Sequence, residues 1–163
     1  MNLNVGDILI CRGNSWISKG IMKVTRGTWS HTALYAETWD QGGVIEAQSN
    51  GVNFKLWDIW RNKWGYTYEV YRYKGLFVEK DLMIKAFSKC GETKYDFWKF
   101  LFRIPRKLFF GKWKDKGEKE DDKMICSAFT GWVWNLPNWQ SMTPDEQEEY
   151  LNKSDAWIEI KQN

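Results

Sequence analysis

Short runs of apolar residues dominate the first half of the chain, and their lengths favour β-strands over helices. Two of these runs, at residues 51–56 and 66–73, alternate with the period of a half-buried strand. Gly, Asn and Asp residues separate the runs and favour tight turns. Short strands with tight connections predict a small antiparallel sheet or barrel. The predicted strands cover residues 5–12, 30–37, 43–48, 51–56 and 66–73.

The second half of the chain shows helical spacing instead. Leu82, Ala86 and Cys90 recur at intervals of four residues, which places them on one helix face. The segment Thr143-Pro144-Asp145-Glu146 has the N-cap, the first-turn proline and the capping glutamate of a helix N-terminus. Strands followed by helices predict an α+β fold, in a single domain over residues 1–163. The predicted helices cover residues 78–90 and 124–134 and a segment that begins at 143, and a last strand covers residues 156–160.

Length and composition exclude several classes of protein. The chain has 163 residues and a mass of 19.5 kDa, which is enough for one domain to build a core without disulfides or a structural metal. A hydrophobic fraction of 43% and a charged fraction of 28% exclude disordered and collagen-like chains. No apolar run approaches the ~20 residues of a membrane-spanning helix, and the N-terminus lacks the pattern of a secretory signal. We therefore expect a cytoplasmic protein with free thiols at Cys11, Cys90 and Cys126.

One segment interleaves basic and aromatic side chains. Residues 95–114 carry this pattern, within a basic and aromatic insertion at about residues 97–123. We first expect its rings to pack on the domain while its bases face water. The second interpretation is a docking site for an anionic membrane through Arg103, Arg106 and Lys107. Nucleic-acid binding ranks last, because a net charge of +3 is too small to indicate it.

The sequence has one histidine, His31, which excludes a metal site built from several histidines. The three cysteines contain no Cys-x-x-Cys pair, which argues against a zinc site. We therefore predict no metal and no cofactor. His31 is a candidate general base, since the pKa of an imidazole lies near neutral pH. The alternative is an ordinary structural or exposed histidine.

Cys126 follows a polar loop and precedes an apolar helical run, so it lies near a predicted helix N-terminus. The unpaired N–H groups and the dipole of a helix N-terminus stabilise an anion and lower the pKa of a thiol there. With an imidazole beside it, such a thiolate is a nucleophile for acyl transfer. The same N–H groups are candidates to hold an oxyanion. The alternative, a small buried apolar side chain, is the interpretation that we favour for Cys11 and Cys90.

Glu46 lies in the strand that follows the His31 strand. A carboxylate that accepts an N–H from the imidazole would orient the ring and stabilise the imidazolium. The alternative is a solvent-facing glutamate on a strand. Ser30 and Ser127 adjoin the two key residues, but we do not expect either hydroxyl to be a nucleophile, because neighbours along the backbone rarely face each other.

The candidate residues lie within a set of short motifs: Gly6-Asp7-Ile8-Leu9, Ser30-His31-Thr32-Ala33-Leu34-Tyr35, Val44-Ile45-Glu46-Ala47, Gly51-Val52, Lys94-Tyr95-Asp96, Cys126-Ser127 and Thr143-Pro144-Asp145. In their order and spacing, these motifs resemble the circularly permuted NlpC-like cysteine peptidases. The resemblance spans nearly the whole chain and points to the YiiX/YaeF-like branch, which is related to the lecithin retinol acyltransferase family. The residues run in the order His, Glu, Cys, as in the permuted branch, whereas in papain-type enzymes the cysteine comes first.

The resemblance implies a papain-like core in which an antiparallel sheet packs against a helix headed by the active cysteine. It implies that Cys126 is the nucleophile, His31 the general base and Glu46 the residue that orients the imidazole. The Tyr95 hydroxyl, with Ser127 beside the thiol, would bind the oxyanion or the substrate. About thirty residues separate Tyr95 from Cys126, and this length departs from the family pattern.

We expect a thiol hydrolase that cleaves an amide through an acyl-enzyme, with cell-wall peptides as the familiar substrate of the family. The absence of an export signal then requires a phage-encoded protein or another route of release. A lipid-directed thiol acyltransferase or esterase that docks on membranes is the first alternative. A non-catalytic binding module on the same fold is the second.

Overall fold

The computed structural model describes residues 2–38, 41–91 and 124–161. Within them the fold is α+β, as the sequence predicts. The strands are β1 (Ile8–Arg12), β2 (His31–Thr38), β3 (Gln41–Gln48), β4 (Gly51–Leu56), β5 (Thr67–Tyr73) and β6 (Trp157–Glu159). The helices are α1 (Trp16–Thr25), α2 (Trp57–Trp64), α3 (Glu79–Phe87), α4 (Cys126–Val133) and α5 (Pro144–Lys153), with a 3₁₀ turn at Trp139–Ser141.

The predicted antiparallel sheet is confirmed, as an open six-stranded sheet and not as a barrel. Its strand order is β4-β3-β2-β1-β5-β6, and each neighbouring pair is antiparallel. Consecutive strands β2, β3 and β4 pair through short connections, which is the arrangement that the Gly- and Asn-rich turns predict. The order places β1 and β2 in the middle of the sheet, where both edges of each strand are paired.

Both faces of the sheet are covered, because alternate residues of the central strands enter two separate apolar clusters. Leu34 and Ile45 lie in the larger cluster together with Phe129 of α4. Ala33 and Val44, one position away on the same strands, lie in the smaller cluster, which contains Trp60 of α2. The period of two along each strand therefore sorts the side chains between a face packed on α4 and a face packed on α2.

The helix boundaries follow from their caps. Helix α5 begins with the predicted capping box: Thr143 accepts from the N–H of Glu146, and Glu146 accepts from the N–H of Thr143, at 3.2 and 2.9 Å. Helix α4 is buried along nearly its whole length, from Cys126 to Gly131 and at Val133. Within the part of the chain that the structure describes, none of the helices combines the length and the apolar character needed to cross a membrane.

Several boundaries differ from the sequence prediction. Strand β1 begins at Ile8 and not at Val5, because Gly6 adopts a positive φ of 90° in a preceding turn. Helix α3 ends at Phe87, and Cys90 lies beyond it in a bridge to Val52. The insertion at about residues 97–123 lies outside the described residues.

Helices α1 and α2 are absent from the sequence prediction. Over residues 57–62 of helix α2 (Trp57–Trp64), whose side chains the structure describes, Trp60 alone is buried completely, so these residues show no apolar stripe of helical period. In helix α1 (Trp16–Thr25), Trp16 is 79% exposed whereas Ser18 is buried. A sequence pattern assigns the apolar residue to the interior and the polar residue to the surface, so it does not indicate this helix.

An ion pair between a buried carboxylate and a partly exposed arginine fixes the start of β1 against β5. Asp7 is 1% exposed and accepts two hydrogen bonds from Arg72, at 2.9 and 2.7 Å, and one from the N–H of Asn4 at 2.8 Å. The bidentate geometry satisfies both carboxylate oxygens.

We expect Asp7→Ala to lower the free energy of unfolding by about 3 kcal/mol, because it leaves the guanidinium of Arg72 without its buried partner. Urea denaturation measures this loss. The matched control is Lys153→Ala, which breaks the exposed ion pair between Lys153 and Glu149 within one helix. This control should change stability little, since exposed pairs contribute little. Equal losses in the two variants would contradict the importance of the Asp7 pair.

Candidate active site

The carboxylate of Glu46 is fully buried, at 0% exposure, and three side chains donate to it. His31 Nε2 lies 2.7 Å and Trp60 Nε1 lies 2.9 Å from Oε2, and Lys55 Nζ lies 2.7 Å from Oε1. Burial alone would raise the pKa of Glu46, but the bonds and charges of His31 and Lys55 outweigh it and lower the pKa to about 2. Glu46 is therefore ionised at neutral pH, and the alternative of a solvent-facing glutamate is wrong.

Sheet register explains why Glu46 and His31 meet. Strand β2 pairs with β3 so that Leu34 lies opposite Ile45. The same register, continued by one residue, places Glu46 opposite Ala33 and on the face that His31 shares. The two side chains are thus diagonal neighbours across adjacent strands, within reach of each other.

The imidazole of His31 is held from two sides. Its side chain forms hydrogen bonds with Glu46 and with Cys126. An ionised carboxylate can only accept, so Nε2 carries a hydrogen and donates to Glu46, and Nδ1 is the nitrogen left for the thiol. The ring also stacks on Tyr66, with centroids 5.6 Å apart and planes 18° apart. These contacts fix both the tautomer and the orientation of the ring.

Cys126 is the first residue of α4 and is buried. Its sulfur accepts a hydrogen bond from His31 and from the main-chain N–H groups of Thr32 and Ser127. Ile125, at the N-cap position, makes no side-chain capping bond, so the thiolate lies where a capping acceptor would otherwise be. Burial would raise the pKa of Cys126, but the charge of His31 and these three donors outweigh it and lower the pKa.

Cys126 and His31 each shift the pKa of the other. Burial would lower the pKa of His31, but the negative charges of Cys126 and Glu46 and their hydrogen bonds raise it to about 10. A lowered cysteine pKa and a raised histidine pKa place the proton on the imidazole at neutral pH. The arrangement therefore favours a thiolate and an imidazolium, which is the reactive form of a cysteine nucleophile.

The other two cysteines lack this environment. Cys11 is buried on β1, opposite His31, and burial followed by the negative charges of Glu46 and Cys126 raises its pKa. Burial raises the pKa of Cys90 to about 11. Both therefore remain neutral thiols, as the sequence analysis expects of them.

The two serines next to the key residues are engaged elsewhere. The Ser127 hydroxyl is buried and donates to the carbonyl of Met142 at 2.5 Å. Ser127 therefore stabilises the Cys126 thiolate through its main-chain N–H and not through its hydroxyl. The Ser30 hydroxyl accepts from the N–H of Gly13 at 3.0 Å. Tyr95 and the basic residues Arg103, Arg106 and Lys107 lie outside the described residues.

A buried polar cluster behind the thiol connects the cysteine helix to the histidine strand. Thr130, one turn after Cys126, contacts the hydroxyl of Thr32 at 3.0 Å and the Gln147 Oε1 of α5 at 3.0 Å. All three residues of this cluster are fully buried. Sequence analysis missed the cluster, although a threonine four residues after the cysteine in an otherwise apolar helix is a signal that could have identified it.

Asp145 holds the loop that leads into His31. Its Oδ1 accepts from the N–H groups of Thr28 and Trp29, at 2.6 and 3.1 Å. A Cβ on Gly27 would lie 1.9 Å from the other carboxylate oxygen, so only glycine fits beside Asp145. The motif Thr143-Pro144-Asp145 therefore caps its own helix and also positions the start of the histidine strand.

Lys55, Trp60 and Tyr66 are the side chains around the site that sequence analysis missed. A register argument could have identified Lys55, since Glu46 pairs with Asn53 in the β3–β4 hairpin and Lys55 lies two residues further on the same face. No comparable signal exists for Trp60, because the helix that carries it was not predicted.

Comparison with known proteins bears on the fold. No family model matches the chain, and no curated protein matches it. Among solved structures, the metalloprotein YiiX from Escherichia coli is similar, with a TM-score of 0.66 and 18% sequence identity. The similarity covers 100% of this chain and 99% of that chain.

The residues at this site do not fit a metal, although the solved structure is named a metalloprotein. Over residues 2–38, 41–91 and 124–161, no group of three or more His, Cys, Asp or Glu side chains is arranged to hold an ion. At the candidate site, Glu46 already accepts from three N–H donors, one of them the ammonium of Lys55, which would repel a cation. At this identity the likeness concerns architecture alone: the fold of the described residues is similar to that of YiiX.

Proposed function

We propose that this protein is a cysteine-dependent hydrolase that cleaves an amide bond through an acyl-enzyme. Cys126 acts as the nucleophile, His31 as the general acid and base, and Glu46 as the residue that orients the imidazole. One observation carries the proposal: at the N-terminus of α4 the buried Cys126 sulfur lies beside His31, whose Nε2 is 2.7 Å from the buried carboxylate of Glu46. The family resemblance of the sequence also supports it, since His31, Glu46 and Cys126 follow one another in the order that the resemblance implies.

The reaction that this geometry supports has two steps. The thiolate of Cys126 attacks the carbonyl carbon, and main-chain N–H groups at the first turn of α4 stabilise the oxyanion. The imidazolium of His31 gives its proton to the leaving amine as the C–N bond breaks, which leaves a thioester. His31, now neutral, takes a proton from water as the water attacks the thioester, and the acid product leaves with the thiolate restored.

Glu46 contributes through His31 and not by contact with the substrate. Its carboxylate accepts a hydrogen bond from Nε2 of His31, so that Nδ1 faces the sulfur in both steps. It also stabilises the imidazolium, which is the form that protonates the leaving group. The stacked ring of Tyr66 limits rotation of the imidazole between the steps.

A peptide amide is the proposed substrate class, with cell-wall peptides as the first compounds to test. The free thiols at Cys11, Cys90 and Cys126 support action in a reducing compartment. Lipid esters are the comparison substrates, because a thioester intermediate also serves acyl transfer. The membrane contact through Arg103, Arg106 and Lys107 stays a prediction, as does the interpretation as a non-catalytic binding module.

The reactivity of Cys126 tests the proposed thiolate. We expect iodoacetamide to alkylate Cys126 rapidly at pH values below the ordinary thiol pKa of ~8.5, because the reactive thiolate is present there. Peptide mass spectrometry from pH 4.5 to pH 9, a range chosen around the ~8.5 value, resolves each cysteine. Cys11 and Cys90, whose pKa values are raised, serve as controls within the same molecule.

His31→Ala should move the Cys126 profile to higher pH, since it removes the cation that stabilises the thiolate. Unfolding of the variant is excluded if Cys11 keeps its slow alkylation. If Cys126 titrates like the two control cysteines in the wild type, the thiolate–imidazolium pair does not exist and the enzymatic proposal fails.

Turnover tests the nucleophile directly. For a peptide amide that the wild-type protein hydrolyses, Cys126→Ala should reduce the rate of hydrolysis by at least ~10³-fold, because no acyl-enzyme can form. Cys90→Ala, at a partly buried thiol outside the site, is the matched control and should keep wild-type turnover. Intact-mass measurement during turnover should show the acyl adduct in the wild type and none in Cys126→Ala.

Full activity in Cys126→Ala would rule out the mechanism. Binding of peptides without turnover in the wild type would favour the non-catalytic binding module.

A further inference from the structure

We propose that Lys55 is a positioning residue of the active site: by neutralising the buried carboxylate of Glu46, it allows the anionic thiolate to form beside an anionic orienting group. This inference rests on the proposed function, because it concerns the charge state of the proposed nucleophile. It adds a fourth member to the series of Cys126, His31 and Glu46.

The geometry of Lys55 is that of a built ion pair and not of a chance surface contact. Its Nζ lies 2.7 Å from Glu46 Oε1 and 2.6 Å from Gln48 Oε1. The Lys55 side chain is 18% exposed and that of Glu46 is 0% exposed. Glu46 pairs with Asn53 across the hairpin, and Lys55 lies two residues beyond Asn53 on the same strand. Lys55 is therefore a diagonal neighbour of Glu46 on the same face of the sheet. The ammonium takes the one oxygen of Glu46 that neither His31 nor Trp60 contacts.

The sum of the charges along the series depends on Lys55. In the reactive state the series alternates in sign: thiolate at Cys126, imidazolium at His31, carboxylate at Glu46 and ammonium at Lys55. A Cys-His-Asn triad uses a neutral amide as the orienting group, which adds no charge beside the thiolate. Glu46 adds one negative charge in a buried site, where like charges repel strongly. Lys55 offsets that charge, so that Glu46 and Lys55 together correspond to a neutral orienting group.

Other groups around this series do not supply the same charge. Within the described residues, the titratable or charged side chains nearby include Cys11 on β1, Tyr66 before β5, Tyr68 on β5 and Arg61 on α2. Arg61 is exposed, and its charge is not among those that lower the pKa of Glu46. Burial, followed by the charges of Glu46 and Cys126, raises the pKa of Cys11, which stays a neutral thiol. Burial raises the pKa of Tyr68 against the opposing charge of Arg61, so Tyr68 is neutral as well. The indole of Trp60 donates to Glu46 without a charge.

The test is the pH profile of Cys126 alkylation in Lys55→Met. We expect its midpoint to rise by ~1 pH unit or more, because the uncompensated carboxylate disfavours the thiolate. Lys55→Gln, which keeps a hydrogen-bond donor for Glu46 and removes the charge, should show the same rise and serves as the second variant if Lys55→Met does not fold. Lys55→Arg keeps the charge and should stay near the wild-type midpoint. Lys19→Met, at an exposed lysine of α1, is the matched control and should leave the profile unchanged.

The double variant Glu46→Gln/Lys55→Met separates charge balance from simple loss of structure. It restores a neutral orienting amide, and its midpoint should return toward the wild-type value. An unchanged midpoint in folded Lys55→Met or Lys55→Gln would overturn the inference, and so would a double variant that is shifted as far as Lys55→Met. In either case a low wild-type midpoint would leave the proposed function intact. An ordinary thiol profile in the wild type would instead contradict the proposed function itself, and with it the role of Lys55.

Discussion

The buried carboxylate of Glu46 is the constraint on which the rest of the site depends. A fully buried charge is strongly unfavourable unless opposite charge and hydrogen bonds compensate it. Here the compensation comes from His31, Lys55 and Trp60, which lie on β2, β4 and α2. Those partners meet only if the β2–β3–β4 meander keeps its register and α2 packs on the sheet. The carboxylate therefore ties the geometry of the imidazole to the formation of the sheet.

The cysteine reaches this sheet through a different set of contacts. Helix α4 covers the face of the sheet opposite to Trp60. Its first residue, Cys126, lies beside the first residues of β2, His31 and Thr32. Thr130 connects α4 to Thr32 on the strand and to Gln147 on α5. Asp145 connects α5 to the loop that precedes the strand. Polar bonds in a buried setting have few alternative partners, so they define one position of the sulfur relative to the imidazole.

How much the sequence predicts depends on whether the signal is local. The strands, the capping box of α5 and the position of Cys126 at a helix N-terminus follow from local patterns, and all three are found in the structure. The resemblance supplied the grouping of Cys126 with His31 and Glu46. Helices α1 and α2 were missed because their exposed residues include large apolar side chains. Lys55 and Trp60 were missed because their importance comes from a partner in space and not from their own neighbours along the chain.

The charges of Cys126 and Glu46 raise the pKa of His31 and favour an imidazolium at neutral pH. The sequence has one histidine, so an NMR titration of its ring nitrogens reports on His31 without an assignment problem. We predict that the ring stays protonated through neutral pH and titrates at about 10. In Cys126→Ala the titration should move to lower pH, because the thiolate no longer stabilises the cation. A wild-type titration near the ordinary histidine value of ~6.5, unchanged in Cys126→Ala, would contradict the account.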